Sequence, residues 1–151
     1  MQGEPSQVRL SWTGKREPAP SDGTQLRPEK PGNQGFELIA GENLRALHAL
    51  SARSQRFALA YLDPPFLTGR EHREVRRQRN ATGDIVRTLT PAFDDRWDSL
   101  EAYLTALGDR LSAVRQLLTE EGCLVLHVDP KTSHHAKVLC DEIFGTRAFA
   151  S

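Results

Sequence analysis

Asp63-Pro64-Pro65-Phe66 follows directly on the apolar residues Ala60-Tyr61-Leu62. A strand that ends in this tetrapeptide sets a carboxylate, stiff backbone carbonyls and an aromatic ring side by side. The two prolines have no N–H to donate, so the turn offers oxygen acceptors. A carboxylate together with a carbonyl accepts both hydrogens of an exocyclic amine and leaves the nitrogen lone pair facing an electrophile. Phe66 adds a flat platform, and stacking a base on such a ring is worth about 1–3 kcal/mol. These residue types suit the capture of a planar, amino-bearing ring, such as a nucleobase drawn out of its stack. Taken alone, the four residues are more readily a stiff turn with Phe66 packed inward, so the neighbouring elements have to decide.

Phe57 to Leu62 is nearly all apolar, the pattern of a parallel strand buried on both faces. In open α/β sheets ligands bind beyond the carboxyl ends of the strands, which is where Asp63 falls. Upstream, Phe36-Glu37-Leu38-Ile39-Ala40 reads as a short strand, and Asn43 to about Ser51 as a helix with Asn43 as its N-cap. Residues 67–95 lack a strong period and suit an irregular hairpin turning at Asn80-Ala81-Thr82-Gly83. Leu100, Tyr103, Leu104, Leu107, Leu111, Val114 and Leu118 form one apolar helical stripe. Asp98 with Glu101 has capping-box spacing, and Gly122 stands where a helix needs a left-handed stop. Cys123 to Val128 is a further strand closed by Asp129-Pro130, and a helix over about Thr132 to Phe144 ends at Gly145. Strands alternating with helices imply a mostly parallel α/β sheet with helices on both faces.

The length of 151 residues fits one domain. Residues 1–35 hold five of the nine prolines and five of the eleven glycines, with few apolar residues, and are expected to be a disordered leader. Residues 36–151 carry the ordered part. Twenty basic residues balance twenty acidic ones, so any affinity for a polyanion must come from a local patch. One such patch is present: residues 69–79 carry Arg70, Arg73, Arg76, Arg77 and Arg79 against two glutamates. Two cysteines, Cys123 and Cys140, make no disulfide framework and no metal spacing, and are expected as semi-buried thiols of a reducing compartment. No signal pattern and no membrane-spanning apolar run occurs, so a cytoplasmic location is expected. Adjacent His134 and His135 on a helix point about 100° apart and do not share an ion, so no metal site is assigned. His127 and His135 are expected to be packed and hydrogen-bonded, and Trp97 to be a core anchor.

Five ordered pieces over about residues 36–150 resemble the DNA amino-methyltransferases, the adenine-N6 and cytosine-N4 enzymes, in the permuted class whose catalytic half comes first. Gly41-Glu42-Asn43-Leu44 is similar to the family's opening Gly-Asp-Asn-Leu, and Tyr61 to Gly69 to its Asp-Pro-Pro-Phe-Asn-Thr-Gly segment. Phe93-Asp94-Asp95-Arg96-Trp97 with Tyr103-Leu104 resembles the stretch after the catalytic loop. Gly122 to Asp129 resembles a Gly-(apolar)-His-(Val/Ile)-Asp strand, and Lys137 to Gly145 a Leu-Lys-x-Leu-Leu-Asp-Glu-Ile-Phe-Gly helix.

The resemblance implies a partial Rossmann-like fold and methyl transfer from S-adenosylmethionine to an exocyclic amine of a flipped base in DNA, adenine N6 being favoured. It gives Asp63 and the Pro64 carbonyl the amine, leaves Pro65 to stiffen the turn, and makes Phe66 the stacking ring. The arginines of residues 70–79 would hold DNA phosphates, or else form a solvated loop. Two departures stand out: Leu67 replaces the family's Asn, and Glu42 replaces an Asp near the cofactor, where a helix-terminal acid is an equally good reading. The glycine-rich turn that approaches S-adenosylmethionine does not occur; Gly32-Asn33-Gln34-Gly35 lies in the leader. Ala148 to Ser151 looks like the start of another strand. The expectation is therefore the N-terminal catalytic half of a longer enzyme, inactive alone and completed by a C-terminal half or a second chain. The alternatives are a non-catalytic DNA- or partner-binding remnant, or a methyltransferase acting on RNA or protein.

Overall fold

The computed structural model describes residues 9–18, 20, 23, 37–79 and 83–150. Its elements run α1 (Asn43–Ala52), β1 (Phe57–Leu62), β2 (Glu71–Arg79), β3 (Ile85–Asp94), α2 (Leu100–Leu117), β4 (Leu118–Leu126) and α3 (Pro130–Phe144), then a 3₁₀ turn at Thr146–Ala148. β1 and β4 pair in parallel, with Leu59, Ala60, Tyr61 and Leu62 opposite Cys123, Leu124, Val125 and Leu126. β2 and β3 form a separate antiparallel hairpin. The α/β organisation with a parallel pair is the one the alternating pattern predicts.

The core is built on α2. Tyr103, Leu104, Leu107 and Leu111 are buried together with Ala136 and Leu139 of α3, and Leu62, Leu124 and Leu126 of the sheet pack against them. Fully burying a leucine of this kind contributes about 1.5–3 kcal/mol. Because side chains alternate along a strand, Leu62, Leu124 and Leu126 face α2 and α3, whereas Leu59, Tyr61 and Val125 face the other way. Those outward residues are exposed, Leu59 at 60% and Tyr61 at 63%. The expectation that β1 is buried on both faces is thus corrected: only one face is covered among the described residues.

Several local expectations shift for identifiable reasons. Residues 37–40 form no strand, and Phe36 lies outside the described residues. Glu42, not Asn43, caps α1, its carboxylate accepting the Arg45 N–H at 2.9 Å. Ser99, not Asp98, caps α2: its hydroxyl accepts the Ala102 N–H at 3.2 Å from an extended backbone. Gly122 does not stop a helix. It lies inside β4, where the register against β1 slips, and a Cβ there would sit 3.0 Å from the Thr119 carbonyl oxygen. Asp129 and Gly145 bound α3, Gly145 with φ 90°. The hairpin of residues 67–95 forms, but Asn80 to Thr82 of its turn lie outside the described residues. Thr146–Ala148 make a 3₁₀ turn, and no strand forms over residues 148–150, where one was expected to begin; Ser151 lies outside the described residues.

Residues 9–18, expected as part of a disordered leader, are docked on α2 and α3. Trp12 packs against the core and donates its indole N–H to Thr105 at 3.1 Å. Arg16 engages both Asp109 oxygens at 2.8 and 3.1 Å, and Lys15 meets Glu142 at 2.6 Å. Gly32 to Gly35 lie outside the described residues. Cys123 is exposed rather than semi-buried, whereas burial pushes the Cys140 thiol up to about 11, with Asp141 adding to the shift.

Leu111 is fully buried at the centre of this cluster. Leu111→Ala is expected to lower stability by about 2–5 kcal/mol, the range for a leucine truncated in a packed core. Urea denaturation followed by circular dichroism measures it.

Candidate acceptor site

The site forms where the two parallel strands end. Asp63 and His127 each stand one residue beyond paired positions Leu62 and Leu126. The His127 N–H donates to the Leu62 carbonyl at 2.9 Å and holds the two exits together. The side chains then meet: His127 Nδ1 lies 3.2 Å from Asp63 Oδ1, both about half exposed. The His127 ring packs against Phe66 in an edge arrangement, 5.1 Å between centroids and 64° between planes. Pro64, Pro65 and Phe66 are half-buried. His127, expected to be packed and hydrogen-bonded, packs on Phe66 and approaches Asp63 at this strand end. The signal for it was its place at the end of the second apolar strand, the same sheet edge as Asp63.

The turn after Phe66 is held by a residue that sequence reasoning did not single out. Asp95 is 1% exposed. Its carboxylate accepts the Leu67 N–H at 2.9 Å, the Thr68 N–H at 2.8 Å and the Thr68 hydroxyl at 2.5 Å. Its backbone adds the Gly69 N–H to its carbonyl at 3.2 Å and its own N–H to the Arg70 carbonyl at 2.9 Å. Burial alone would raise the Asp95 carboxyl, but the hydrogen bonds from Thr68, Leu67 and Phe66 outweigh it and hold it below the ordinary value. Asp94, one residue earlier, faces solvent and pairs with Arg96 at 2.6 Å; the Arg96 side chain and N–H draw its carboxyl down to about 2.

Leu67 has φ 59°, the left-handed region that asparagine tolerates better than leucine. The Leu67 side chain offers no polar group in place of the asparagine's, and only its backbone N–H reaches Asp95. The Leu67 side chain packs against the core, the inward role that the stiff-turn reading gave to Phe66.

Glu42 sits elsewhere. Its carboxylate is shared between the Arg45 N–H and Arg110, whose Nη2 is 2.6 Å away while Arg110 Nε donates to Asn43 at 2.7 Å. Burial would raise this carboxyl, but hydrogen bonds from the Arg45 and Leu44 N–H groups and the Arg110 charge lower it overall. The arginines of residues 70–79 are all exposed on or beside β2. Arg73 pairs with Glu71 at 2.8 Å and Arg76 with Glu74 at 3.4 Å. Trp97 packs edge-on to Tyr103 in the core, 5.4 Å between centroids, as expected. His135 is packed, yet its Nδ1 finds no hydrogen-bond partner among the described residues.

Asp63, the two-proline turn and Phe66 thus stand together with His127 at the carboxyl edge of the parallel strands. The family model described as DNA methylase matches residues 57–151, and the chain belongs to that family. The chain is 30% identical over 136 residues to the type III restriction-modification enzyme EcoP15I Mod subunit of Escherichia coli, covering 82% of this chain and 21% of that protein. It is 28% identical over 142 residues to the EcoPI Mod subunit of Escherichia phage P1, covering 86% and 22%. It is 32% identical over 112 residues to the type II methyltransferase M.EcaI of Enterobacter cloacae, covering 74% and 22%. The chain thus spans about a fifth of the length of these relatives. No solved structure matches it. Among the described residues no helix is long and apolar enough to cross a membrane.

Asp95→Asn places an amide among the Leu67, Thr68 and hydroxyl donors and leaves donors facing donors, which is expected to weaken the turn by about 1–3 kcal/mol at neutral pH. Because the Asp95 carboxyl is depressed in the folded chain, its contribution is present above the ordinary Asp value of about 3.9 and fades as pH falls through the lower folded value. Amide exchange at Leu67 and Thr68 in both proteins, from neutral pH to about pH 3, measures the difference and its convergence.

Proposed function

We propose that this chain carries the acceptor side of a DNA methyltransferase that methylates the exocyclic amino group of a flipped-out base, adenine N6 being favoured. The observation that carries the reading is the meeting of Asp63, Phe66 and His127 at the ends of two adjacent parallel strands, inside the segment matched by the DNA methylase family. The base has to leave the duplex because its amino group is sheltered within the stack. Phe66 then stacks on the ring, while the Asp63 carboxylate and the Pro64 carbonyl accept the two amine hydrogens and Pro65 keeps that carbonyl fixed. The nitrogen lone pair would form the new N–C bond as the methyl group's bond to the donor sulfur breaks and a neutral thioether leaves. The nitrogen then gives one proton to solvent, and Asp63 stabilises the positive charge in between. His127 packs against Phe66 and approaches Asp63, which supports both in one orientation.

S-adenosylmethionine, when bound, supplies the electrophilic methyl group. The described residues do not make a site that fits it. Glu42, the one acid assigned to cofactor contact, is occupied by the Arg45 N–H and Arg110. No glycine-rich turn follows β1 or β4; the backbone leaves one through two prolines and the other through Asp129-Pro130. The cofactor side is therefore assigned to a C-terminal half or a second chain, and the 151-residue chain alone is expected to bind S-adenosylmethionine weakly and to be inactive. The open face with Leu59, Tyr61 and Val125 supports such a partner, as does an open groove of about 710 Å³ between β4 and α3, lined by Leu124, Leu126, Ala136, Cys140 and Phe149.

The test is methyl transfer to duplex DNA by this chain completed with the C-terminal part of a type III Mod relative. Asp63→Ala is expected to lower the rate by about 10³-fold, the scale for losing a group that stabilises transition-state charge. An unchanged rate in Asp63→Ala, or a preference for RNA or protein acceptors, overturns the reading. An inactive complemented wild type with intact DNA binding favours the non-catalytic remnant instead.

A further inference from the structure

The hairpin concentrates charge unevenly. In a paired antiparallel ladder, opposite residues share a face, and positions two apart along a strand share it too. Arg77 stands opposite Arg87, Arg79 opposite Ile85, and Val75 opposite Leu89, so these six residues line one face. Arg76, opposite Thr88, lies on the other face and pairs with Glu74. Arg73 shares the first face but is neutralised by Glu71. No ion pair to Arg77, Arg79 or Arg87 occurs among the described residues, and all three are exposed.

Two guanidinium groups directly opposite each other repel, and like charges at such a position weaken a hairpin. Among the described residues no carboxylate pairs with either arginine, and the flanking Val75, Ile85 and Leu89 are exposed at 50%, 61% and 61%. A polyanion with closely spaced charges relieves the repulsion by bridging both arginines. The hairpin is also tied to the acceptor turn: the Gly69 N–H and the Arg70 carbonyl at its base are bonded to the backbone of Asp95. Arg77 stands eight residues beyond Gly69 along the ribbon, about 26 Å at about 3.3 Å per residue, so a ligand on this face reaches the turn that carries Phe66 only if it is as long as a duplex segment. A two-stranded ribbon has the width to enter the major groove of duplex DNA.

We infer that the face bearing Arg77, Arg79 and Arg87 is a backbone-binding ridge for the duplex DNA whose base is presented to Asp63. The inference rests on the proposed methyltransferase reading. Of the five arginines of residues 70–79 it assigns Arg77 and Arg79 to the ridge, adds Arg87, leaves Arg73 and Arg76 as internally paired surface residues, and gives no role to Arg70, which precedes β2.

Fluorescence anisotropy of the full chain with a labelled duplex of about 20 base pairs, titrated over a range of salt, tests it. The double variant Arg77→Ala/Arg87→Ala is expected to bind about 10-fold more weakly near 0.1 M salt. The slope of log affinity against log salt should fall by nearly 2, about 0.9 for each phosphate that is no longer neutralised. Arg76→Ala should stay within about twofold of wild type. Removing a like-charge pair should leave the melting temperature unchanged or higher; if the double variant unfolds, Arg87→Thr alone is read for half the change in slope. Equal weakening by Arg76→Ala, an unchanged salt slope in the double variant, no duplex binding by wild type, or tighter binding to single-stranded RNA or anionic vesicles overturns the inference. Methyl transfer by the completed enzyme separates the two readings. Activity that depends on Asp63 together with an inert ridge defeats only the ridge, and a ridge that binds duplex in an enzyme indifferent to Asp63 defeats only the methyltransferase assignment.

Discussion

A single buried carboxylate, Asp95, holds the acceptor turn to the rest of the molecule. The chain leaves β1 through two prolines that cannot donate hydrogen bonds, then passes through Leu67 in a left-handed conformation that leucine rarely adopts. Such a backbone needs an external clamp. Asp95 supplies it by accepting two backbone N–H groups and the Thr68 hydroxyl, while its own backbone ties down Gly69 and Arg70. Because the carboxylate is fully buried, each of these bonds is made in a low-dielectric setting where an unpaired partner is expensive. The turn, the base of the hairpin and the start of the segment leading to α2 thus meet at one residue.

The second constraint is the parallel pairing of β1 and β4. It brings Asp63 and His127, 64 positions apart by numbering, to one sheet edge. The long excursion between the strands serves two ends. Its hairpin carries the exposed arginines, and α2 returns across the sheet to bury Leu62, Leu124 and Leu126. The docked residues 10–16 close this layer from outside, with Trp12 and the Arg16–Asp109 pair against α2. One face of the sheet is consequently well covered and the other presents apolar side chains to solvent.

Much of this was legible in the residues themselves. The 3.6-residue stripe of α2 reports its buried face, which depends only on local spacing, whereas the apolar run of β1 marks a strand but not the exposure of Leu59 and Tyr61. Strands separated by helices implied parallel pairing. The details that failed share one physical origin. Cap positions at Glu42 and Ser99 were misplaced by one residue because neighbouring polar side chains compete for the same first-turn N–H groups, and only the local backbone angles choose between them. Gly122 looked like a helix stop because its spacing allowed one, yet its role is close approach within an irregular strand.

By itself the sequence determined the chemistry available: an acid, two prolines and an aromatic ring at the end of an apolar strand, with arginines soon after. Those are consequences of residue type and short spacing, which need no partner from elsewhere in the chain. The tertiary structure decided which groups join them. Asp95 and Asp94 are the same residue type side by side, and only packing buries one as a clamp and leaves the other paired with Arg96 in solvent. His127 joins Asp63 and Phe66, Arg87 stands opposite Arg77, and Leu67 rather than Phe66 turns inward, all through strand register and burial. Register is a long-range property, set when distant segments pair over a common core, and residue spacing within either segment carries no record of it.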